Sequence, residues 1–230
     1  MWQPKFRNLQ LNTACELLCQ DCPYWQDNAP LELKNFQTPE WLVNLSGGNP
    51  LNHPDLGQIL INLKKDKHYV TLTTCGYRLE NLEQKFLPLL DLIFIYVPAC
   101  TGEISLLKTG LNAWPQQKNA IEYLQEIRKK FIVLHPVNKD NLEDLPDLFG
   151  LLNKKNSGLI LLHQKKTENS LTRQQKTHLY YYDRRPNTAV YEYKQTSAAN
   201  CQDFWRHLNS WSFYNILTLA KLFYKFAFLR

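Results

Sequence analysis

The sequence predicts an α/β fold built on a parallel sheet, either open or curled into a partial barrel. Three observations predict it. Between residues 6 and 164, short runs suited to strands alternate six times with longer amphipathic runs. Several of the short runs, LIFIYV, FIVLHP and LILLH most clearly, are almost uninterrupted apolar stretches, the pattern of strands buried on both faces. The repeat of about 20–35 residues leaves room for the crossover that each pair of parallel strands requires.

Taken in order, the first strand is expected over Phe6–Leu11, and the segment after it is Cys-rich and loop-like. The second, Leu42–Ser46, runs into the diglycine Gly47-Gly48. A helix is expected over 54–66, where Leu56, Ile59, Leu60 and Leu63 are spaced 3, 4 and 7 apart on one apolar stripe. The third strand, Tyr69–Thr73, leads to Thr74-Cys75-Gly76 and to a helical pattern over 79–90. Leu92–Val97 is the fourth strand, followed by a helix over 116–129. Phe131–Pro136 is the fifth, followed by a helix over 141–155, and Leu159–His163 is the sixth.

At 230 residues, 44% hydrophobic and 21% charged, the chain has the apolar surface for a full core, which excludes a disordered tail. Six cysteines in this length do not make a disulfide-stapled miniprotein. The charge is unevenly spread. Residues 1–164 hold 16 Lys/Arg against 17 Asp/Glu, whereas residues 165–230 hold 11 against 4, a net of +7. The expected organisation is therefore a core over 1–164 and a basic, Tyr-rich, mainly helical extension over 165–230. In that extension Tyr214, Thr218, Lys221 and Lys225 share one stripe of a helical pattern at 213–229, with apolar residues over the rest. A helix docked on the core and a cationic helix lying in a membrane interface, as a peripheral membrane contact, both fit this pattern. The basic tail suits an acidic peptide, a phosphorylated metabolite, nucleic acid or an anionic membrane, and equally a solvated surface. No run reaches the ~20 apolar residues of a membrane span: 86–100 is broken by Pro88 and Asp91, and 213–229 by Asn215, Lys221 and Lys225. A cytoplasmic, reducing setting is expected, where clustered thiols serve as metal ligands or catalysts rather than bridges.

The segment with chemistry in it is Thr13-Ala14-Cys15-Glu16-Leu17-Leu18-Cys19-Gln20-Asp21-Cys22. Thiolates bind iron or zinc, and short spacers let one loop supply several. A closed zinc site wants a fourth ligand, and no Cys or His follows locally, whereas an iron–sulfur cubane held by three thiolates keeps one iron open. The residues alone leave three readings: a three-thiolate cluster, a zinc site, and unrelated thiols spaced i, i+4, i+7 on a helical face. The remaining thiols, Cys75, Cys100 and Cys201, are scattered. Leu45-Ser46-Gly47-Gly48-Asn49-Pro50 follows a buried strand and precedes a helix, and its paired glycines let a backbone approach a ligand closely. Cys15, Gly47, Gly48, Thr74, 98–100, 135–138 and 163–164 all fall at the C-terminal ends of the expected strands, where parallel barrels keep their chemistry. His135 and His163 close buried strands, a place more often held by a hydrogen-bonded core histidine than by a substrate contact.

Cys15-x-x-x-Cys19-x-x-Cys22, followed by Ser46-Gly47-Gly48-Asn49-Pro50, resembles the radical S-adenosylmethionine (radical SAM) superfamily. The first motif matches the family's cluster spacing, and the second is similar to its G-G-E-P motif, which contacts the methionine amino group. Thr74-Cys75-Gly76 is similar to the Thr-Asn-Gly that ends the family's third strand. Val137-Asn138-Lys139-Asp140-Asn141-Leu142 is similar to the polar end of its fifth. The match runs from about residue 6 to 164 and does not cover the tail.

The resemblance implies a partial (β/α)6 barrel, a 4Fe–4S cluster on Cys15, Cys19 and Cys22, and S-adenosylmethionine held by Gly47, Gly48, Asn49, Pro50, Thr74 and Asn138. It also implies an enzyme that takes an electron from a flavodoxin- or ferredoxin-type donor, cleaves S-adenosylmethionine reductively and uses the 5′-deoxyadenosyl radical to abstract hydrogen from an unidentified substrate. That substrate is a peptide or a small molecule, anionic if the basic tail recognises it, and no catalytic residue beyond the cofactors is implied. Three departures stand out: Asn49 in place of the family's Glu, Asp21 before the third cysteine where an aromatic is common, and a fourth strand ending Tyr96-Val97-Pro98-Ala99 without a polar residue. The alternative is a non-catalytic cytosolic zinc- or cluster-binding module that uses the same three cysteines structurally.

Overall fold

The computed structural model describes residues 6–19, 22, 38–152, 156–164, 171–183, 185 and 187–193. Seven strands make one sheet: β1 (Phe6–Asn12), β2 (Leu42–Gly47), β3 (Tyr69–Thr74), β4 (Leu92–Tyr96), β5 (Phe131–Val137), β6 (Ser157–Gln164) and β7 (Thr188–Tyr193). They stand in sequence order and every neighbouring pair is parallel, so each connection has to return across the sheet. β1 and β7 are its two edges among the described residues, which leaves an incomplete barrel rather than a closed one. The helices are α1 (Leu56–Lys65), α2 (Gly102–Thr109), α3 (Trp114–Glu126), α4 (Leu145–Leu151) and α5 (Arg173–Asp183).

Side chains alternate between the two faces of a strand, and the alternation divides this sheet cleanly. Leu9, Val43, Leu72, Ile95, Val133 and Leu161 lie on the helix-covered face and join Leu60 of α1, Ile121 of α3 and Leu148 of α4 in one apolar core. The opposite face is polar on β1–β3 and apolar on β4–β6. Its polar half is a network centred on the fully buried Asn44. The Asn44 amide donates to Asn8 Oδ1 at 2.8 Å, and its carbonyl oxygen accepts from the hydroxyls of Thr71 at 2.8 Å and Thr73 at 3.0 Å. Ser46 Oγ donates to the same Asn8 oxygen at 2.8 Å. Burial of these groups is tolerable because each finds a partner on the next strand. On the apolar half, Phe94, Ile132, Leu134, Ile160 and Leu162 are equally buried.

The six expected strands are all present, each within a few residues of its expected bounds. Elsewhere the structure corrects the reading. The helix expected over 79–90 is two single 3-10 turns, Leu79–Asn81 and Leu87–Leu89, and Pro88 in the second lacks the backbone donor that a helix running through to residue 90 would need. Over 141–155 there is a 3-10 turn, Leu142–Asp144, and then the short α4, which begins with Pro146 in its first turn. α2 was not expected. It starts on the Thr101 side chain, which accepts from Ile104 N, and ends at Gly110, left-handed at φ 73°. The parallel pattern also continues past residue 164, since α5 and β7 add a seventh unit inside the segment expected to be mainly helical. Arg185 is exposed in a bend after α5, where its guanidinium lies over Phe149 (4.6 Å) and Tyr182 (5.5 Å). The helical pattern at 213–229 and Cys201 lie outside the described residues. No helix among the described residues is long and apolar enough to cross a membrane.

His135 sits on β5 and is fully buried. Its Nδ1 lies 2.7 Å from the Val97 carbonyl, a partner that only accepts, so Nδ1 carries the hydrogen. Burial pushes its pKa from 6.5 down to about 4. The unfolded chain therefore binds a proton in that interval that the folded chain does not, and stability falls as pH falls. Urea unfolding should show a loss of about 3 kcal/mol between pH 6.5 and pH 4 that is absent in His135→Asn; equal pH dependence in both proteins would contradict this. At neutral pH, Asn44→Ala should lower the unfolding free energy by about 3 kcal/mol in the same assay, since it strands the hydroxyls of Thr71 and Thr73.

Candidate active site

Of the residues singled out from the sequence, Cys15, Gly47, Gly48, Asn49, Pro50 and Thr74 gather where β1, β2 and β3 end, and Asn138 does not. β1 carries an irregularity between Gln10 and Asn12 that shifts its register against β2 and releases the chain into the cysteine loop. That loop is not helical from residue 13 to 19, which sets aside the reading of three thiols on a helical face. It is sewn to the diglycine turn by backbone bonds. Gly48 N donates to Asn12 O at 2.9 Å and Asn49 N to Ala14 O at 2.6 Å, and the Asn12 side-chain Nδ2 adds a bond to Asn49 O at 3.0 Å.

The glycines serve this contact. Gly47 has φ 131°, and a Cβ there would stand 2.3 Å from Asn12 O. A Cβ on Gly48 would stand 2.2 Å from Ala14 O and 2.6 Å from Thr13 O. The close approach read from the sequence is therefore real, but what approaches Gly48 is the backbone of the cysteine loop. The far side of the loop is held by Leu17, buried with Cys75 and Ala113, and by Leu18 N, which donates to Thr109 O at 2.8 Å at the C-terminal end of α2.

Asn49 is fully buried and its side chain has no hydrogen-bonding capacity to spare. Its oxygen accepts from Thr74 Oγ1 (2.8 Å) and Leu51 N (3.4 Å), and its amide donates to Glu16 Oε2 (2.9 Å) and Tyr77 O (3.1 Å). Pro50 is buried in the first position of a 3-10 turn, Pro50–Asn52, capped by Asn49. Glu16, which sequence reasoning passed over, is the carboxylate of this corner. Its Oε1 makes no hydrogen bond and faces Arg78 Nε at 3.4 Å, and Arg78 is held in the left-handed region at φ 61°. An acidic residue directly after the first cysteine, with an Asn where a Glu is usual, was the signal for it.

The thiols differ in chemistry. Cys75 at the end of β3 donates its S–H to Glu16 Oε2 at 3.9 Å; its neighbouring Cys15 thiol has a lowered pKa because of the Cys75 side chain beside it, and the Cys15 side chain and then burial push Cys75 well up. Burial and Asp144 push Cys100 up as well, so that thiol stays protonated. Among the described residues, the potential metal-donor atoms that lie within 4.8 Å of one another are those of Cys15, Glu16 and Cys75. Cys19 packs on the same small cluster, and Cys22 N donates to Cys19 O at 3.0 Å, but neither joins that group. Asp21 lies outside the described residues. Asn138 belongs to a separate turn, where its oxygen accepts from Asp140 N and its own N–H donates to Asn141 Oδ1. Asn141, buried, ties that turn to Pro98 O and Pro136 O. Gln117 of α3 binds Cys75 O and Tyr96 O and so locks the ends of β3 and β4 together.

No family model and no curated protein sequence matches the chain. Solved structures do. Streptococcus suis SuiB bound to precursor peptide SuiA matches with a TM-score of 0.63 and 15% identity, over 96% of this chain and 55% of that one. SuiB bound to S-adenosylmethionine gives 0.61 and 15%, over 83% and 50%. A radical SAM methyltransferase from Sphaerobacter thermophilus gives 0.57 and 11%, over 82% and 65%. The chain has the radical SAM fold. It spans about half the length of the SuiB structures it matches.

The radical SAM residues of the resemblance can be tested against the donors present. Three thiols on one irregular loop, one of them biased toward thiolate, suit a thiolate-bound cluster. Asn12 Oδ1 is buried without a hydrogen-bond partner among the described residues, and Glu16 Oε1 is short of one, so two acceptors stand ready for a cationic amine. Both groups fit. The stitched backbone sets a further expectation: Gly48→Ala should push the cysteine loop off the sheet. Reaction of the Cys15 thiol with a disulfide reagent should then speed up at least about tenfold, as local opening becomes cheaper by more than 1.4 kcal/mol; an unchanged rate would show that the loop does not depend on this contact.

Proposed function

We propose that this chain is a radical SAM enzyme, with a 4Fe–4S cluster on Cys15, Cys19 and Cys22 and S-adenosylmethionine at the ends of β1–β3. The observation that carries the reading is the joining of the cysteine loop to the Gly47-Gly48-Asn49 turn, with unsatisfied acceptors on Asn12 and Glu16 at the seam. When bound, the two groups supply an electron to the sulfonium and hydrogen abstraction from a substrate.

The chain's own residues bind and orient. Glu16 supplies the negative charge that the G-G-E-P motif would otherwise bring and that Asn49 lacks, and Asn49 holds the carboxylate in place from below. Asn12 Oδ1, buried and without a hydrogen-bond partner among the described residues, would accept a second hydrogen from the methionine amino group. The backbones of Gly47 and Gly48 and the side chains of Pro50 and Thr74 fix the turn's shape, and Asn138 lies at the β5 end for a more distant part of the cofactor. A cytoplasmic, reducing setting and a flavodoxin- or ferredoxin-type donor complete the reading. A peptide is the favoured substrate class, since a neighbour of the same fold binds a precursor peptide and the net +7 of residues 165–230 suits an acidic one.

Anaerobic reconstitution tests this directly. Four irons and four sulfides per chain are expected, with 5′-deoxyadenosine formed on addition of dithionite and S-adenosylmethionine, whereas a single zinc and no 5′-deoxyadenosine would favour the binding module. Cys15→Ala, Cys19→Ala and Cys22→Ala should each abolish the cluster's absorption, and Cys100→Ala should keep it. In calorimetry on the reconstituted protein, Glu16→Gln should weaken S-adenosylmethionine binding about tenfold, the worth of one charged hydrogen bond.

A further inference from the structure

A surface helix normally turns its leucines inward, and α2 does the reverse. Its buried side chains are Ser105 and Thr109, whose hydroxyls both donate to Leu111 O, at 3.4 Å and 2.8 Å. Leu106 and Leu107 are 54% and 64% exposed instead. Among the described residues six large apolar side chains are exposed, and four of them, Leu18, Leu106, Leu107 and Leu111, belong to this corner. The other two lie at the opposite end of the sheet: Trp41 directly precedes β2, and Ile127 closes α3 on the way into β5. Leu18 is part of the cysteine loop itself, next to Cys19 and three residues from Cys15. Its N–H donates to Thr109 O at 2.8 Å, and a Cβ on Gly110 would stand 3.0 Å from Leu18 Cβ, so the loop lies against the exit of α2. Leu106 is one turn before Gly110, and Leu107 one turn before Leu111, which places the helix leucines beside Leu18.

Resting on the radical SAM reading above, we propose that Leu18, Leu106, Leu107 and Leu111 are the docking surface for the electron donor, a small redox protein of the flavodoxin or ferredoxin class. Position is the first argument. A partner seated on Leu18 touches the loop that carries all three proposed cluster ligands, and a donor has to bring its own cofactor close to them. Size is the second. Four part-exposed leucines make a patch on the order of a few hundred Å², large enough to be functional. That is short of the roughly 800 Å² that each partner buries in a standard stable complex, and it suits the small interfaces of electron-transfer encounters. A permanent dimer of this chain would need more, whereas a donor must leave after each delivery. In that delivery one electron passes from the reduced donor to the cluster; the donor is oxidised by one electron, the cluster is reduced by one, and no bond is made or broken.

The probes are a flavodoxin and a two-cluster ferredoxin, each isotope-labelled and titrated with the reconstituted full-length chain while its NMR shifts are followed. At least one should bind the parent. The double variant Leu106→Gln, Leu107→Gln should weaken that binding at least about tenfold. Gln forms helix about as well as Leu, so α2 is retained. Ile127→Gln, which removes an exposed apolar side chain at the far end of the sheet, should leave binding unchanged. In 5′-deoxyadenosine formation the double variant should need at least about tenfold more protein donor for half-maximal rate, yet match the parent when dithionite supplies the electron. Equal donor affinity in parent and double variant, binding of neither donor to the parent, or a parallel fall in the dithionite rate overturns the docking assignment and leaves the cluster reading standing. A parent dimer that the double variant dissociates gives the patch to a second copy and overturns it too. No 5′-deoxyadenosine from the parent with dithionite overturns the radical SAM reading, and the donor surface with it.

Discussion

Much of this site rests on one steric constraint: where β1 and β2 end, two backbones lie so close that no Cβ fits between them. Gly48 can carry no side chain against Ala14 O, and Gly47 must take φ 131° beside Asn12. Once those two positions are glycine, Asn12 O and Ala14 O find their donors in the turn, and the cysteine loop is held without a helix of its own. The loop's buried polar backbone would otherwise go unpaired at considerable cost. Leu17 and the Leu18–Thr109 bond then hold its far side.

A second feature is the unequal division of the sheet's inner face. β1–β3 present Asn8, Asn44, Thr71 and Thr73 there, and β4–β6 present Phe94, Ile132, Leu134 and Ile160. A hydrogen-bonded polar network is satisfied in only one register, so it specifies the pairing of the first three strands more sharply than apolar packing would. Thr74 and Asn49 extend the same logic to the strand ends. The apolar half has its strand ends fastened differently, by side chains that reach across loops: Gln117, Asn141 and Asp144.

The thiols illustrate how position, not residue type, assigns chemistry. Cys15, at a half-exposed loop beside a sulfur donor, leans toward thiolate, whereas Cys100, buried next to Asp144, is held protonated. Cys75 belongs with Cys15 although 60 positions separate them in sequence.

The sequence by itself determined the parallel α/β class, the six strands of the core and the two motifs at their ends. Those are local signals: apolar runs, the 3.6-residue stripe of α1, cysteine spacing and a diglycine after a strand. Pro88 was visible too, and it stands inside the second of the two turns that replace a helix over 79–90. What only the tertiary structure decided was partnership across strands. α5 and β7 were hidden because a polar, Tyr-rich stretch pairs at the sheet's edge, where an uninterrupted apolar run is not needed. Glu16 and Cys75 looked like an incidental acid and a scattered thiol. They become part of a site only because β1 and β3 end on the same side of one parallel sheet, and no local pattern encodes which residues such strand ends bring together.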